Sequence, residues 1–374
     1  MLAGVMVSVA QGAGGVDRGD RVDRCPGLVR PFAAQDGAIV RARVPGGRIA
    51  LAVIADLLAI AADHGAPVLQ LTSRGSLQLR ALPDPLPADL VVRLEATGLF
   101  PSSSHELARN ILASPLDDDL AALVGEVDAA LVADFGLAAL PGRFLFVVST
   151  AGGAVLGEPW DAAYEVIDAH RGRVHAGSHA IEVRREDAVA ELLHRARLFL
   201  RHRGHDGVWN VRDLPADSPM FAGMTPYAVA PAATPVPGIV GADLVAGVPL
   251  GLLRPSHVTA LTEVTDHVTL TPWRSVVVAG GARHTDALAA AGLVTTAESP
   301  WSRLSACIGA PSCRSTTSPT IDLTTAAAEL LTADGPRVHV VGCDRRCGHP
   351  AADHVTVVAP TTIDDVLTAA GARP

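Results

Sequence analysis

The sequence predicts an α+β protein: two related half-domains packed about a pseudo-two-fold axis, with a terminal α/β region that carries four cysteines. Three observations support this. A β-α-β unit that begins at Val44-Pro-Gly-Gly-Arg-Ile49 returns, shortened, at Val248-Pro-Leu-Gly-Leu-Leu253. The first copy takes 27 positions from Val44 to Leu71 and the second takes 22 from Val248 to Leu270, so the second is shorter by five. Cys307 with Cys313, and Cys343 with Cys347, form two tight local pairs between strand-like stretches. Related units this far apart in one chain are the signature of an internal duplication.

Taken in order, residues 1–22 read as a flexible lead rich in Gly and Asp. Organised chain begins at Arg24-Cys-Pro-Gly27, and Ala38–Val44 alternates as a strand that Pro45-Gly-Gly47 turns. Ile49–His64 is a dense apolar helix stopped at Gly65. Pro67–Thr72 and Ser76–Arg80 alternate as strands around Ser73-Arg74-Gly75, and Ala88–Thr97 makes another helix. Residues 23–116 thus form the first half-repeat. An α/β domain follows at 117–213, with a helix over Leu120–Phe135, a strand over Arg143–Val148, and an amphipathic helix over Asp187–Arg203 whose arginines and histidines face solvent. The Pro- and Ala-rich stretch 214–238 reads as a linker. The second half-repeat occupies 239–280, with a helix over Ser256–Thr265 and strands within Val268–Val278. Residues 281–374 form the cysteine-bearing domain, with helices at His284–Leu293 and Thr320–Leu331 and strands at Val338–Val341 and His354–Val358.

Composition narrows the function classes. The 374 residues carry a net charge of −9, 49% hydrophobic and 18% charged residues, which is the profile of a soluble globular protein. No apolar run of about 18 residues is present, so no membrane span is expected. Met1–Ala10 is apolar but lacks a basic flank, which makes a poor signal peptide, and a reducing cytoplasmic setting is the expectation. An acidic balance without basic runs argues against nucleic acid as a partner. All 30 basic residues are arginine. The absence of lysine excludes a P-loop lysine and a Schiff-base lysine, so any anionic ligand is held by arginine forks, which suit carboxylates.

The cysteine spacing is the strongest chemical signal. Five residues separate Cys307 from Cys313, three separate Cys343 from Cys347, and 29 lie between the pairs. Disulfides need an oxidising compartment. Structural zinc sites favour pairs two to four residues apart, so the wider first pair fits them poorly. An iron–sulfur cluster needs four thiolates and close backbone approach, which Gly309, Gly342 and Gly348 allow. Arg314, Arg345 and Arg346 offset its negative charge. A cluster fits best, with zinc and plain buried thiols left as alternatives.

Other residues have blander readings. Cys25 reads as a small buried hydrophobe or turn residue, and Arg74 and Arg80 could form part of a solvated strand face. His170, His175 and His179 have no ligand-like spacing and are expected at the surface, as are His202 and His205.

The combination of Val44-Pro-Gly-Gly47, Thr72-Ser-Arg-Gly-Ser-Leu-Gln78, Ala108-Arg-Asn-Ile-Leu-Ala-Ser-Pro115 and the two cysteine pairs resembles the sulfite and nitrite reductase family over about residues 25–359. Within it, Arg24-Cys-Pro-Gly27, Leu270-Thr-Pro-Trp-Arg274 and Cys347-Gly-His-Pro350 resemble the precorrin-3B synthases. The family resemblance implies two ferredoxin-like half-repeats plus α/β regions, and a four-iron, four-sulfur (4Fe-4S) cluster on Cys307, Cys313, Cys343 and Cys347 beside a tetrapyrrole. It implies that Arg74, Arg109 and Arg143 grip the tetrapyrrole and its small-anion ligand. Arg143 falls on the first of two basic positions in the reductase motif, and the second is Leu145 here. Reducing sulfite or nitrite needs several cationic donors around the anion, so this departure points to a different reaction at the same site.

The synthase resemblance implies oxygen-dependent hydroxylation of precorrin-3A at a bridge carbon, with lactone closure, in aerobic cobalamin biosynthesis. The expected partners are precorrin-3A, O2 and an electron donor such as NADH or a reductase. The cluster would pass electrons, and a mononuclear non-haem iron would activate oxygen. Two histidines and a carboxylate are the usual design for such an iron, and His105, Glu106 and His349 lie near the family motifs. Under the reductase alternative, sirohaem takes the place of the precorrin substrate.

Overall fold

The computed structural model describes residues 8–9, 23–204, 207–350 and 353–372. The predicted flexible lead therefore lies outside the described residues apart from 8–9, as does His205. After β1 (Ser8–Val9), the first half contains β2 (Phe32–Ala34), β3 (Gly37–Ala42), β4 (Arg48–Ala50), α1 (Leu51–His64), β5 (Leu69–Leu71), β6 (Leu77–Leu82) and α2 (Ala88–Ala96). The central region contains β7 (Ile111–Ala113), α3 (Ala121–Ala133), β8 (Phe146–Ser149), β9 (Ala162–Val166), β10 (Arg171–Ala176), β11 (His179–Arg184), α4 (Ala188–His202) and β12 (Thr225–Pro226). The second half follows with β13 (Gly238–Val240), β14 (Asp243–Gly247), β15 (Leu252–Leu253), α5 (Pro255–Thr262), β16 (His267–Leu270), β17 (Ser275–Val278) and α6 (Thr285–Ala290). The terminal region holds β18 (Leu304–Ala306), α7 (Thr320–Ala328), β19 (Val338–Val341), β20 (Val355–Val358) and α8 (Ile363–Ala369).

The duplication is visible in backbone detail. Pro45-Gly46-Gly47 and Pro249-Leu250-Gly251 both form a single helical turn with two positive φ angles, 69° and 81° in the first copy and 54° and 71° in the second. Glycine is relaxed there, and Leu250 is strained. The hairpin turns match as well. The Thr72 hydroxyl accepts from the Arg74 and Ser76 amides, and the Thr271 hydroxyl accepts from those of Trp273 and Ser275. Gly75 and Arg274 occupy the same turn position, each at φ 58°.

Each half lends a strand to the other. Strand β4 pairs with β16 (Ile49 opposite Val268), while β15 pairs with β5 (Leu253 opposite Leu69). The two resulting five-stranded sheets, β15-β5-β6-β3-β2 and β13-β14-β17-β16-β4, therefore cannot separate without breaking both. Ile54, Leu57, Leu71 and Leu77 of one half and Leu244, Val268, Leu270 and Leu288 of the other share one apolar core. Truncating any one of these to alanine is expected to cost about 2–5 kcal/mol.

The six-stranded sheet β12-β11-β10-β9-β8-β7 differs in extent from the sequence expectation. It starts at Ile111, inside the segment assigned to the first half, because Ile111-Leu-Ala113 pairs in parallel with Phe146–Val148. It ends in the stretch read as linker, where Thr225–Pro226 pairs with Ala180 and His179 at an edge that tolerates proline. Helices α3 and α4 cover one face through Leu123, Val127, Leu131, Leu192 and Phe199. On the opposite face, Leu112, Leu145, Val147 and Ala163 pack with Trp273 of the second half. Arg195 departs from the predicted solvent face of α4: it is 3% exposed and donates to the Met220 and Ala222 carbonyls. His175 is not at the surface either. It is 1% exposed, 3.0 Å from Glu165 and flanked by the rings of Trp160 and Tyr227.

In the terminal region β18, β19 and β20 run parallel, with β1 antiparallel along β20. Ala327, Ala328 and Val366 from its helices close over Val338, Val340 and Val357. Cys307 directly follows β18, and Cys343 lies two residues past β19. Both cysteine loops thus leave the carboxyl ends of neighbouring parallel strands, where open α/β sheets form their ligand crevices. Among the described residues, no helix is long and apolar enough to cross a membrane.

Candidate functional site

The first cysteine loop is folded back on the start of α7. The Thr320 hydroxyl donates to the Cys307 carbonyl at 2.6 Å and lies 3.8 Å from its Sγ. At Gly309 (φ 59°) a Cβ would sit 2.3 Å from the Thr320 hydroxyl oxygen, so only glycine fits. The second loop comes in against the first. The Gly342 amide donates to Cys307 Sγ at 3.2 Å, the polarity with which backbone stabilises a thiolate.

Cys307, Cys313 and Cys343 are part-buried and Cys347 is exposed. Burial pushes the Cys347 thiol up, and the charges of Cys307, Cys343 and Cys313 add to the effect while Arg345 opposes it. As thiolates the four would repel one another, and a bound cation would relieve that repulsion. Among the described residues no three His, Cys, Asp or Glu side chains are gathered around a single ion. A multi-iron cluster asks for a wider spacing than one ion does, because each thiolate binds a different iron. Four free cysteines, on loops where Gly309 and Gly342 have no room for a Cβ, suit such a group in donor type and close backbone approach.

His339 was not singled out from sequence, yet it supports the second loop. Its Nε2–H donates to the Cys347 carbonyl (3.1 Å), which leaves Nδ1 to accept from the Ser305 hydroxyl (2.9 Å). Burial and then Arg274 push its pKa down to about 4, so the ring is neutral at pH 7. His349 lies beside it, with ring centroids 6.3 Å apart. The other two candidate iron ligands are occupied structurally. His105 places Nδ1 3.0 Å from both the Ser102 and Ser104 hydroxyls and Nε2 3.0 Å from the Asp134 carbonyl. Glu106 accepts from the Leu28 and Val29 amides. The expectation of a triad built from His105, Glu106 and His349 is not met, because two of its members serve the backbone.

A second feature lies on the face of the first half. Arg41 lies in β3, Arg43 follows one residue past its end, and Arg74 comes from the hairpin turn before β6. Arg41 donates to Gln78 Oε1 at 2.9 Å. Arg43 is 3% exposed and donates to Asn110 Oδ1 (3.0 Å) and the Pro26 carbonyl (3.3 Å), yet its Nη2 has no partner among the described residues. Arg74 Nη1 is likewise buried without one. Burial, and then the Arg41 charge, push Arg43 down to about 9. Burial also lowers Arg74, with Arg41 and Arg143 adding to it and Cys25 and Asp161 opposing. Asp161 is itself held by the Val211 and Leu145 amides at 2.7 and 2.9 Å. Buried guanidinium groups with idle N–H donors are costly unless an anion reaches them.

Of the predicted gripping residues, Arg74 lies in this group, Arg143 is exposed with its guanidinium 5.5 Å from the centre of the Trp209 ring, and Arg109 is held elsewhere. Arg109 forks onto Asp128 at 2.8 and 2.7 Å and donates to the Leu99 carbonyl at 2.9 Å. Sequence reasoning passed over Arg41 and Arg43, although their i, i+2 spacing before Pro45-Gly-Gly47 was the available signal. Arg274 ties the second half to the cysteine loops. It lies in the hairpin turn of the second half and its Nη2 donates to the Gly348 carbonyl, one residue past Cys347, at 3.3 Å. Its neighbour Trp273 donates to Glu158 at 2.7 Å. Leu145 is 1% exposed and adds an apolar side chain on the Trp273 side.

Comparison with known proteins agrees with this architecture. No curated protein matches the chain. Among solved structures, the Mycobacterium tuberculosis NirA protein is similar at 17% identity and a TM-score of 0.61, over 82% of this chain and 68% of that one. At that identity the likeness is one of fold. Residues 33–91, from β2 into α2, match the nitrite/sulfite reductase ferredoxin-like half domain.

Proposed function

We propose that the chain is an iron–sulfur oxidoreductase of the nitrite/sulfite reductase type, that its four thiolates hold a 4Fe-4S cluster beside an anionic tetrapyrrole, and that it oxidises precorrin-3A to precorrin-3B. The observation that carries this reading is the pair of idle donors, Arg43 Nη2 and Arg74 Nη1, and it is supported by the four cysteines on neighbouring strand ends that Arg274 braces at Gly348. In the proposed complex the carboxylate arms of the macrocycle accept from Arg43, Arg74 and Arg143, and Leu145 and Trp273 shape an apolar flank. The bound cluster supplies single electrons. One oxygen atom of O2 enters the substrate and the other leaves as water, with two electrons and two protons drawn from an external donor. Arg109 has no direct part in this reading, because Asp128 already neutralises it.

Permanent sirohaem with sulfite or nitrite reduction is the second reading, favoured by the half-domain match. Leu145 favours the first, since it withdraws a cation from the anion pocket. The visible spectrum of anaerobically purified protein separates the two. Broad cluster absorption alone, with precorrin-3A gaining one oxygen atom on aerobic turnover, is the expected result. A Soret band with long-wavelength partners would establish bound sirohaem and overturn the precorrin reading.

A further inference from the structure

We propose that the Cys25 thiol forms part of the wall of the arginine-lined site, so that a bound multi-carboxylate ligand covers it. The inference rests on the anionic-ligand reading above and adds to it a contact residue. Cys25 is held in place by Asp23, whose Oδ1 accepts from the Cys25 amide (2.9 Å) and whose Oδ2 accepts from the Gly142 amide (2.6 Å). One carboxylate therefore fastens the Cys25 segment to the loop that presents Arg143. The two pieces touch: a Cβ at Gly142 would lie 2.7 Å from Cys25 Cβ and 3.1 Å from its Sγ, which only glycine avoids.

On its other side the Cys25 segment meets the arginines: Arg43 Nη1 donates to the Pro26 carbonyl, one residue past Cys25, at 3.3 Å. Only as a thiolate would Cys25 act on the charges of Arg41, Arg43 and Arg74. The idle, buried Nη2 of Arg43 is an independent sign that a ligand belongs there. Burial, then Asp23, push the Cys25 thiol up, so it stays neutral at pH 7. A neutral thiol offers a soft contact and a weak S–H donor while leaving the guanidinium charge for the ligand. A carboxylate at the same place would cancel that charge.

The test uses cluster-loaded, full-length protein and reads alkylation of Cys25 by peptide mass spectrometry. The anionic reagent iodoacetate and the neutral iodoacetamide are compared, with glutathione as reference thiol and uroporphyrin as the multi-carboxylate probe. Next to the arginines, the preference for iodoacetate over iodoacetamide should exceed that of glutathione by about tenfold at low salt. Uroporphyrin, whose binding is followed independently by quenching of tryptophan fluorescence, should slow labelling in proportion to its occupancy. Binding of uroporphyrin with an unchanged labelling rate overturns the Cys25 assignment and leaves the anionic-ligand reading standing. Failure of Cys25 to react in the free protein even at alkaline pH, where its thiolate forms, also overturns the assignment. Absence of uroporphyrin binding overturns both.

Discussion

Replacing Gly342 by alanine tests the packing of the two cysteine loops with a single methyl group. Gly342 donates to Cys307 Sγ from the loop that carries Cys343 and Cys347. Its backbone is not in the left-handed region, so alanine brings no φ penalty. The added Cβ would instead lie 2.3 Å from Thr316 Cγ2, 2.7 Å from Thr316 Oγ1 and 2.8 Å from Thr316 Cβ. Thr316 cannot swing clear easily: it is β-branched, and its hydroxyl accepts from the Ser318 amide at 2.9 Å. The loops must part. Overpacking of this kind costs about 1–3 kcal/mol, which corresponds to roughly 5- to 150-fold weaker retention of a cluster that needs both loops. Iron loss to a chelator, followed by absorbance, measures it. Thr316→Gly removes all three contact atoms, so the double variant should recover much of the loss as a coupling energy. Retention at the wild-type level in Gly342→Ala would refute the claim that the two loops close on one cluster.

Cys347→Ser should abolish cluster absorbance, because a serine hydroxyl is not ionised at neutral pH; an unchanged spectrum would remove Cys347 from the ligand set. Arg74→Ala should weaken uroporphyrin binding by about 2–4 kcal/mol in calorimetry while leaving unfolding nearly unchanged, since Arg74 Nη1 has no protein partner to lose. Equal affinity would place Arg74 outside the site. His257 gives a pH prediction. Its Nδ1 accepts from the Arg254 amide at 3.2 Å, and burial, then Arg254, push its pKa from 6.5 down to about 4. The unfolded chain takes up the proton first, so this contribution is present above pH 6.5 and is lost as pH falls towards 4, amounting to about 3 kcal/mol at most. Urea midpoints of His257→Gln should lack that slope, and an identical slope would contradict the assignment.

The parts of the fold that were legible in the sequence are those fixed by local chemistry. Turn residues at Pro45-Gly46-Gly47 and Pro249-Leu250-Gly251, and alternation in the strands beside them, mark the duplication because φ and side-chain period are local properties. The exchange of β4 and β15 between halves was not legible. Those strands are two or three residues long, and their partners lie far away in sequence. The same holds for Ile111–Ala113, whose parallel partner comes after a helix. Within the candidate site the cysteine pairs announced themselves by spacing. Arg109 and Arg43 could not be told apart by residue type. What separates them is Asp128, which satisfies one guanidinium and leaves the other with an idle N–H. His175 was misjudged for a related reason: Glu165, ten positions earlier, gives a buried imidazole the partner that sequence spacing does not reveal.

The function of this protein turns on what the four thiols hold. Iron, acid-labile sulfide and zinc should be counted in wild-type protein purified without oxygen or chelator. About four irons and four sulfides per chain, with no zinc, is the expected composition. One zinc per chain without sulfide, or none of the three, would contradict it.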